Sequence, residues 1–202
     1  MIATQTTRAP RTRFDDARRA MIDSQLRTSG VNEPFVLARM GTVPREDFVP
    51  ESARGAAYAD RAVRLPGGGA LPAPLFHALL LAEARPASSD RVLVIDGGSG
   101  YLPALLEPMV ESATRVTPEE AAAGRIKGVF TLVMVDGAIE HVPEPLARKL
   151  AEGTRIVTGL VERGVTRLAT GRKTGGSLGL VALAETGVPR LAAFDREAGW
   201  SF

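Results

Sequence analysis

The chain has 202 residues, 45% of them hydrophobic and 24% charged, enough for one globular domain with a real core. Its 25 basic and 23 acidic residues leave a net charge of +2, so the pI near 9.4 reflects non-titrating arginines, and nucleic-acid and membrane-surface roles are set aside. The absence of cysteine excludes disulfides and thiolate metal sites, and with only His77 and His141, far apart, no metal is expected.

No apolar run approaches the ~20 residues of a membrane span and no signal-peptide core opens the chain, so a cytoplasmic protein is expected. Residues 1–13, with three arginines and no acid, read as a mobile tail ahead of a single domain over 14–202. That domain divides into an N-terminal helical segment, 14–85, and an α/β core, 86–202. The first helix is expected over Phe14 to Arg27, with Phe14, Ala17, Met21 and Ile22 on its apolar face. A second begins at Asn32-Glu33-Pro34 and stops at Gly41. Val43 to Pro50, bracketed by prolines, is extended or turned, Pro66 to Gly69 is a hinge-like loop, and Pro74 to Ala84 is an apolar helix.

The apolar run Val92 to Ile95 empties into Asp96-Gly97-Gly98-Ser99-Gly100, and a helix begins near Leu102. A strand, a glycine turn and a helix open the nucleotide-binding α/β folds, where glycine lets a ligand approach the backbone closely. Further strands are expected at Ala113 to Val116, Phe130 to Val135 and Arg155 to Leu160, with a helix over Pro143 to Glu152 ended by Gly153. Val165 to Ala169 and Leu178 to Leu183, joined through Gly171 to Gly176, form a hairpin. Alternating strands and helices closing in a hairpin imply a mostly parallel sheet with an antiparallel edge.

Five segments carry a resemblance: MIDSQLR (Met21 to Arg27), VPREDFVP (Val43 to Pro50), AYAD (Ala57 to Asp60), RVLVIDGGSGY (Arg91 to Tyr101) and the stretch Val135 to Val157. In that order they resemble the protein-L-isoaspartate O-methyltransferases, most of all the proteobacterial branch. The resemblance implies a class I methyltransferase-like, Rossmann-like doubly wound sheet with S-adenosyl-L-methionine as cofactor. It also implies methyl transfer to isoaspartyl carboxylates of damaged proteins. Cofactor-binding positions carried over are Asp96, Gly97, Gly98, Gly100, Thr117 and Asp136; the acceptor-site positions are Ala70 and Pro72.

Several of these residues depart from the family pattern. Ala70 and Pro72 replace a threonine and a serine, so neither side chain can donate a hydrogen bond to an acceptor carboxylate. Asp96 replaces the first glycine of the turn and Val94 the acidic residue before it. A carboxylate at Asp96 would lie near the cofactor's methionine carboxylate, an unfavourable pairing of like charges. Thr117 stands where an acidic residue grips the ribose, with Glu119 as a substitute nearby. The 13 residues Thr117 to Val129 are too few for the usual helix, strand and helix, so the third-strand region is expected to be missing. Pro108 is expected inside the helix after the glycine turn, at an energetic cost.

Other candidates divide between structural and functional readings. His77 reads as a packed core histidine and His141 as a solvated loop residue near the sheet's C-terminal edge. Asp136 reads equally as structural and as a border of the cofactor site, Arg148-Lys149 as a solvated face, and Trp200 and Phe202 as packing on the domain. Two functions remain open. In the first, the family scaffold has impaired or lost catalysis and serves in binding or scaffolding. In the second, it is an active enzyme using Gly98, Gly100 and Asp136 for the cofactor and backbone groups of Gly67 to Gly69 for the acceptor. A sheet edge exposed by the deletion leads to an expected homodimer.

Overall fold

The computed structural model describes residues 13–196, so the expectations for the tail up to residue 12 and for Trp200 and Phe202 lie outside the described residues, while Arg13, expected in the tail, opens the first helix. Six helices, α1 Arg13–Met21, α2 Pro34–Thr42, α3 Pro74–Ala84, α4 Tyr101–Leu106, α5 Pro118–Ala122 and α6 Glu144–Lys149, are described. They accompany eight strands: β1 Val63–Arg64, β2 Ala70–Leu71, β3 Arg91–Ile95, β4 Ser112–Val116, β5 Leu132–Ile139, β6 Arg155–Glu162, β7 Val165–Thr174 and β8 Ser177–Glu185. The last six form one sheet in the order β4-β3-β5-β6-β7-β8, parallel from β4 to β6 and antiparallel beyond.

Strand β3 is buried on both faces, as its unbroken apolar run requires in a parallel sheet. Val92 and Val94 point into a core shared with α1, α2 and α3, and Leu93 and Ile95 into a second core shared with α5 and α6. At the lower end of β3, Asp90 accepts the Ala87 N–H (2.9 Å), the Thr131 hydroxyl (2.7 Å) and the Arg155 guanidinium (2.8 Å). Burial raises the pKa of this carboxyl, but the three donors outweigh burial and hold it below the ordinary value.

The third strand region is absent as expected. β4 is the edge of the sheet, and the chain runs from α5 straight to β5. This short return packs tightly at Gly124 (φ +66°), where a Cβ would lie 2.6 Å from the Pro145 carbonyl at the start of α6.

Several sequence expectations need correction. The first helix passes from α1 into a π-helical turn, Ile22–Leu26. Asn32 does not cap α2: Glu33 holds that position without a side-chain cap bond, and the helix runs to Thr42. Pro108 lies beyond α4, which ends at Leu106, so no interior-proline cost arises. Helix α6 spans only Glu144–Lys149, because Leu150 is already extended. The hairpin is longer than its apolar pattern. Gly171 continues β7, where only a glycine fits against the Gly179 carbonyl, and the turn narrows to Gly175 and Gly176, both at positive φ.

Candidate functional site

The glycine turn after β3 is organised by Asp96, only 3% exposed. Its carboxylate accepts the N–H groups of Gly98 (3.1 Å) and Gly100 (3.0 Å). From β4, the Arg115 guanidinium closes on the same carboxylate with Nε at 2.9 Å and a second, shorter contact through Nη2. The donors that a glycine turn would offer to an anionic ligand are therefore taken by a side chain of the turn itself. Gly97 is fixed by packing, since a Cβ there would lie 2.5 Å from the Asp136 carbonyl.

A loop lies across this turn. The Ala70 N–H donates to the Gly97 carbonyl (3.1 Å), and a Cβ on Gly69 would meet that carbonyl at 2.5 Å. Gly68 and Gly69 thereby separate two cavities. The first, about 540 Å³, lies over the turn between Gly67–Gly69, Asp96, Gly97, Gly98 and the segment Arg115–Glu120. The second, about 1010 Å³, is lined by Ala70, Ala73, Arg61, Arg64 and Val188 among others. Ala70 reaches the second cavity with a methyl group. Pro72 reaches neither: it is buried, and its carbonyl accepts the Arg45 Nη2–H at 2.6 Å.

Thr117 lines the smaller cavity, but its hydroxyl caps α5 by accepting the Glu120 N–H (3.2 Å), while Glu120 answers to the Thr117 N–H (2.9 Å). Glu119 lines the same wall and is exposed. Asp136 is turned away from it. Alternation along β5 puts its side chain on the face of Met134 and Ala138, towards the core shared with α3, where it is 1% exposed.

There the structure reveals a buried polar chain that sequence reading missed. His77 Nε2 lies 2.8 Å from Asp136 Oδ1, though out of line for a well-aligned hydrogen bond. Arg45, fully buried, lies 3.2 Å from His77 Nδ1, donates to the Ala57 carbonyl (2.8 Å), and stacks over Tyr101. Arginine can only donate, so Nδ1 is the acceptor in this contact. On the far side Asp136 accepts the Ser99 hydroxyl (3.2 Å), and Ser99 Oγ accepts the Tyr101 N–H (3.1 Å). The chain links the N-terminal segment to the glycine turn. Burial lowers the Arg45 pKa and raises that of Tyr101. His77 is the core histidine expected, and Arg45 was legible only as part of VPREDFVP.

The N-terminal motifs meet in the same way. Tyr58 receives Arg18 Nε (2.8 Å), donates to Glu46, and its carbonyl accepts Gln25 Nε2 (2.9 Å). Burial, and after it the bond to Glu46, raises the Tyr58 pKa. His141 is partly buried on a separate cavity of about 890 Å³ with Glu140, Leu160 and Arg167. Arg148 is exposed and paired with Glu144. Among the described residues no cluster of His, Asp or Glu could hold a metal ion, and no helix is long and apolar enough to cross a membrane.

Residues 16–124 match the family model for protein-L-isoaspartate(D-aspartate) O-methyltransferase. The chain belongs to this family. A protein-L-isoaspartate O-methyltransferase of Roseiflexus sp. is 32% identical over 190 residues, covering 82% of this chain and 87% of its own. One from Koribacter versatilis is 31% identical, covering 80% and 84%. A solved structure from Plasmodium falciparum, described as a family methyltransferase in complex with S-adenosyl-L-homocysteine, shares the fold with a TM-score of 0.67. It is 17% identical and covers 91% of this chain and 100% of its own. The class I methyltransferase-like fold is thus shown, and the family's cofactor is S-adenosyl-L-methionine. Set on this geometry, most of the family's positions sort into two groups. Asp96, Gly97, Gly98 and Thr117 surround one cavity, whereas Asp136 and Pro72 are turned into the protein.

Proposed function

We propose that this chain is a protein-L-isoaspartate O-methyltransferase family protein whose methyl transfer is impaired or lost, and that it serves as a binding or scaffolding protein. The observation that carries the reading is the closed circuit of Asp96, Gly98, Gly100 and Arg115. S-adenosyl-L-methionine carries an amino-acid carboxylate that needs backbone donors at the glycine turn, and these are already committed. A second carboxylate beside Asp96 meets like charge in a partly buried place. The amino-acid end of the cofactor therefore does not fit this turn, although the 540 Å³ cavity beside it leaves room for a nucleoside.

The acceptor side supports the same reading. Ala70 offers a methyl group to its cavity, and Pro72 has neither a hydroxyl nor access. Orienting an acceptor carboxylate supplies much of the rate of a methyl transfer, and both orienting hydroxyls are replaced. The partners we infer are isoaspartyl-containing proteins, bound on the Ala70 side. A cytoplasmic location goes with this reading, and cell fractionation tests it. A homodimer closing over the β4 edge also goes with it, and a monodisperse monomer in light scattering at high concentration overturns that part.

The central test is a radiolabel transfer assay with an isoaspartyl peptide. Turnover about a hundredfold or more below that of an active relative is expected, in line with the loss of positioning groups. Turnover equal to the relative's would establish the active enzyme with an altered site instead.

A further inference from the structure

The closed circuit at Asp96 also determines which ligand the neighbouring cavity accepts. We propose that the cavity over the glycine turn takes an adenosine thioether lacking the amino-acid carboxylate, because Asp96 supplies that carboxylate from within the chain. This rests on the family reading of the cavity as a nucleoside site.

The Asp96 carboxylate is 3% exposed and receives four donors, two backbone N–H groups and two from Arg115. It therefore has the environment of a bound anion rather than of a side chain waiting for a cation. Arg115 is half exposed at 54%, and its positive charge is already balanced by Asp96 through Nε and Nη2. Of the remaining walls, the glycine backbone of Gly67–Gly69, Val116, Pro118 and Leu191 are uncharged, while Arg190 is paired with Glu140 and Asp195 and Glu120 is bonded to the Thr117 N–H. Glu119, exposed on the same wall, is an acceptor within the cavity lining for hydroxyls of a sugar.

Calorimetry with three probes separates the parts of the ligand. These are 5′-deoxy-5′-methylthioadenosine, S-adenosylhomocysteine, and the decarboxylated form of S-adenosylhomocysteine. The first and third are expected to bind. S-adenosylhomocysteine is expected to bind about tenfold or more weakly, as two like charges a few ångström apart at a protein surface require. In Asp96→Gly the gap closes, with S-adenosylhomocysteine gaining about tenfold or more and methylthioadenosine unchanged. Asp96→Asn, which keeps the side chain's shape without its charge, narrows the gap even if the glycine variant does not fold.

S-adenosylhomocysteine binding as tightly as methylthioadenosine to the native chain overturns the proposal. So does an unchanged ratio in a folded variant. Failure of all three probes to bind overturns it as well, yet leaves the impaired-transfer reading standing. Tight S-adenosylhomocysteine binding together with normal peptide methylation overturns both.

Discussion

The central strand carries an aspartate clamp at each end. Below β3, Asp90 gathers a backbone N–H, the Thr131 hydroxyl and Arg155; above it, Asp96 gathers two backbone N–H groups and Arg115. The chemistry is nearly the same and the positions are not. In open α/β sheets ligands bind at the carboxyl ends of the strands, and the opposite end is left to stability. The upper clamp is thus a structural device set where a ligand's anion would otherwise be held. Asp136, on the next strand, offers a third case, a carboxylate sealed from both solvent and cavity.

Asp136→Ala is the largest expected effect. It removes the carboxylate from the buried group of Arg45 and His77, and breaking such a buried arrangement costs about 3–5 kcal/mol. Urea unfolding measures it. A loss under about 1 kcal/mol would mean that the charge of Arg45 is balanced elsewhere, and the upper end of the sheet would then be less structural than argued.

The clamps themselves come next. Asp90→Ala strands the Thr131 hydroxyl and Arg155, and is expected to cost about 2–3 kcal/mol. Asp96→Ala is expected to cost less, about 1–2 kcal/mol, since Arg115 is half exposed and the Gly98 N–H can be hydrated. Paired unfolding curves compare the two directly. Equal costs would make Asp96 as structural as Asp90, whereas a gain in stability from Asp96→Ala would show a carboxylate strained in place, held for a ligand.

The fold was legible because its signals are local. Val92 to Ile95 is apolar throughout, Pro74 opens a helix with Pro at its first position, and thirteen residues cannot hold a helix-strand-helix unit. The replacements at Ala70, Pro72 and Asp96 were legible too, since a missing hydroxyl or an added carboxylate is a property of the residue alone. What the carboxylate does was not. Asp96 was expected to repel a ligand's charge, but its pairing with Arg115 depends on β4 lying beside β3. Arg45, His77, Asp136 and Ser99 lie far apart in sequence, and no periodicity marks an arginine that will be buried. Asp136 read equally as structural and as a border of the cofactor site, because strand ends usually face the cleft. It lies on the same face of β5 as Met134 and Ala138, and what seals that face is His77, which is distant in sequence.

The smallest expected effect is the acid sensitivity of the lower clamp. Hydrogen bonds to the Asp90 carboxylate hold its folded-state pKa below the ordinary value of 3.8. A depressed carboxyl pKa stabilises the fold above the unfolded value, and that contribution is lost as pH falls through the folded value. Stability measured by urea unfolding is therefore expected to be level down to about pH 5 and to fall below pH 4. In Asp90→Asn the curve starts lower and its acid limb is flatter, because no proton has to be taken up at that site. Should the native and Asp90→Asn curves run parallel through this range, the donors around Asp90 would not be holding its charge. The lower clamp would then be no model for the upper one.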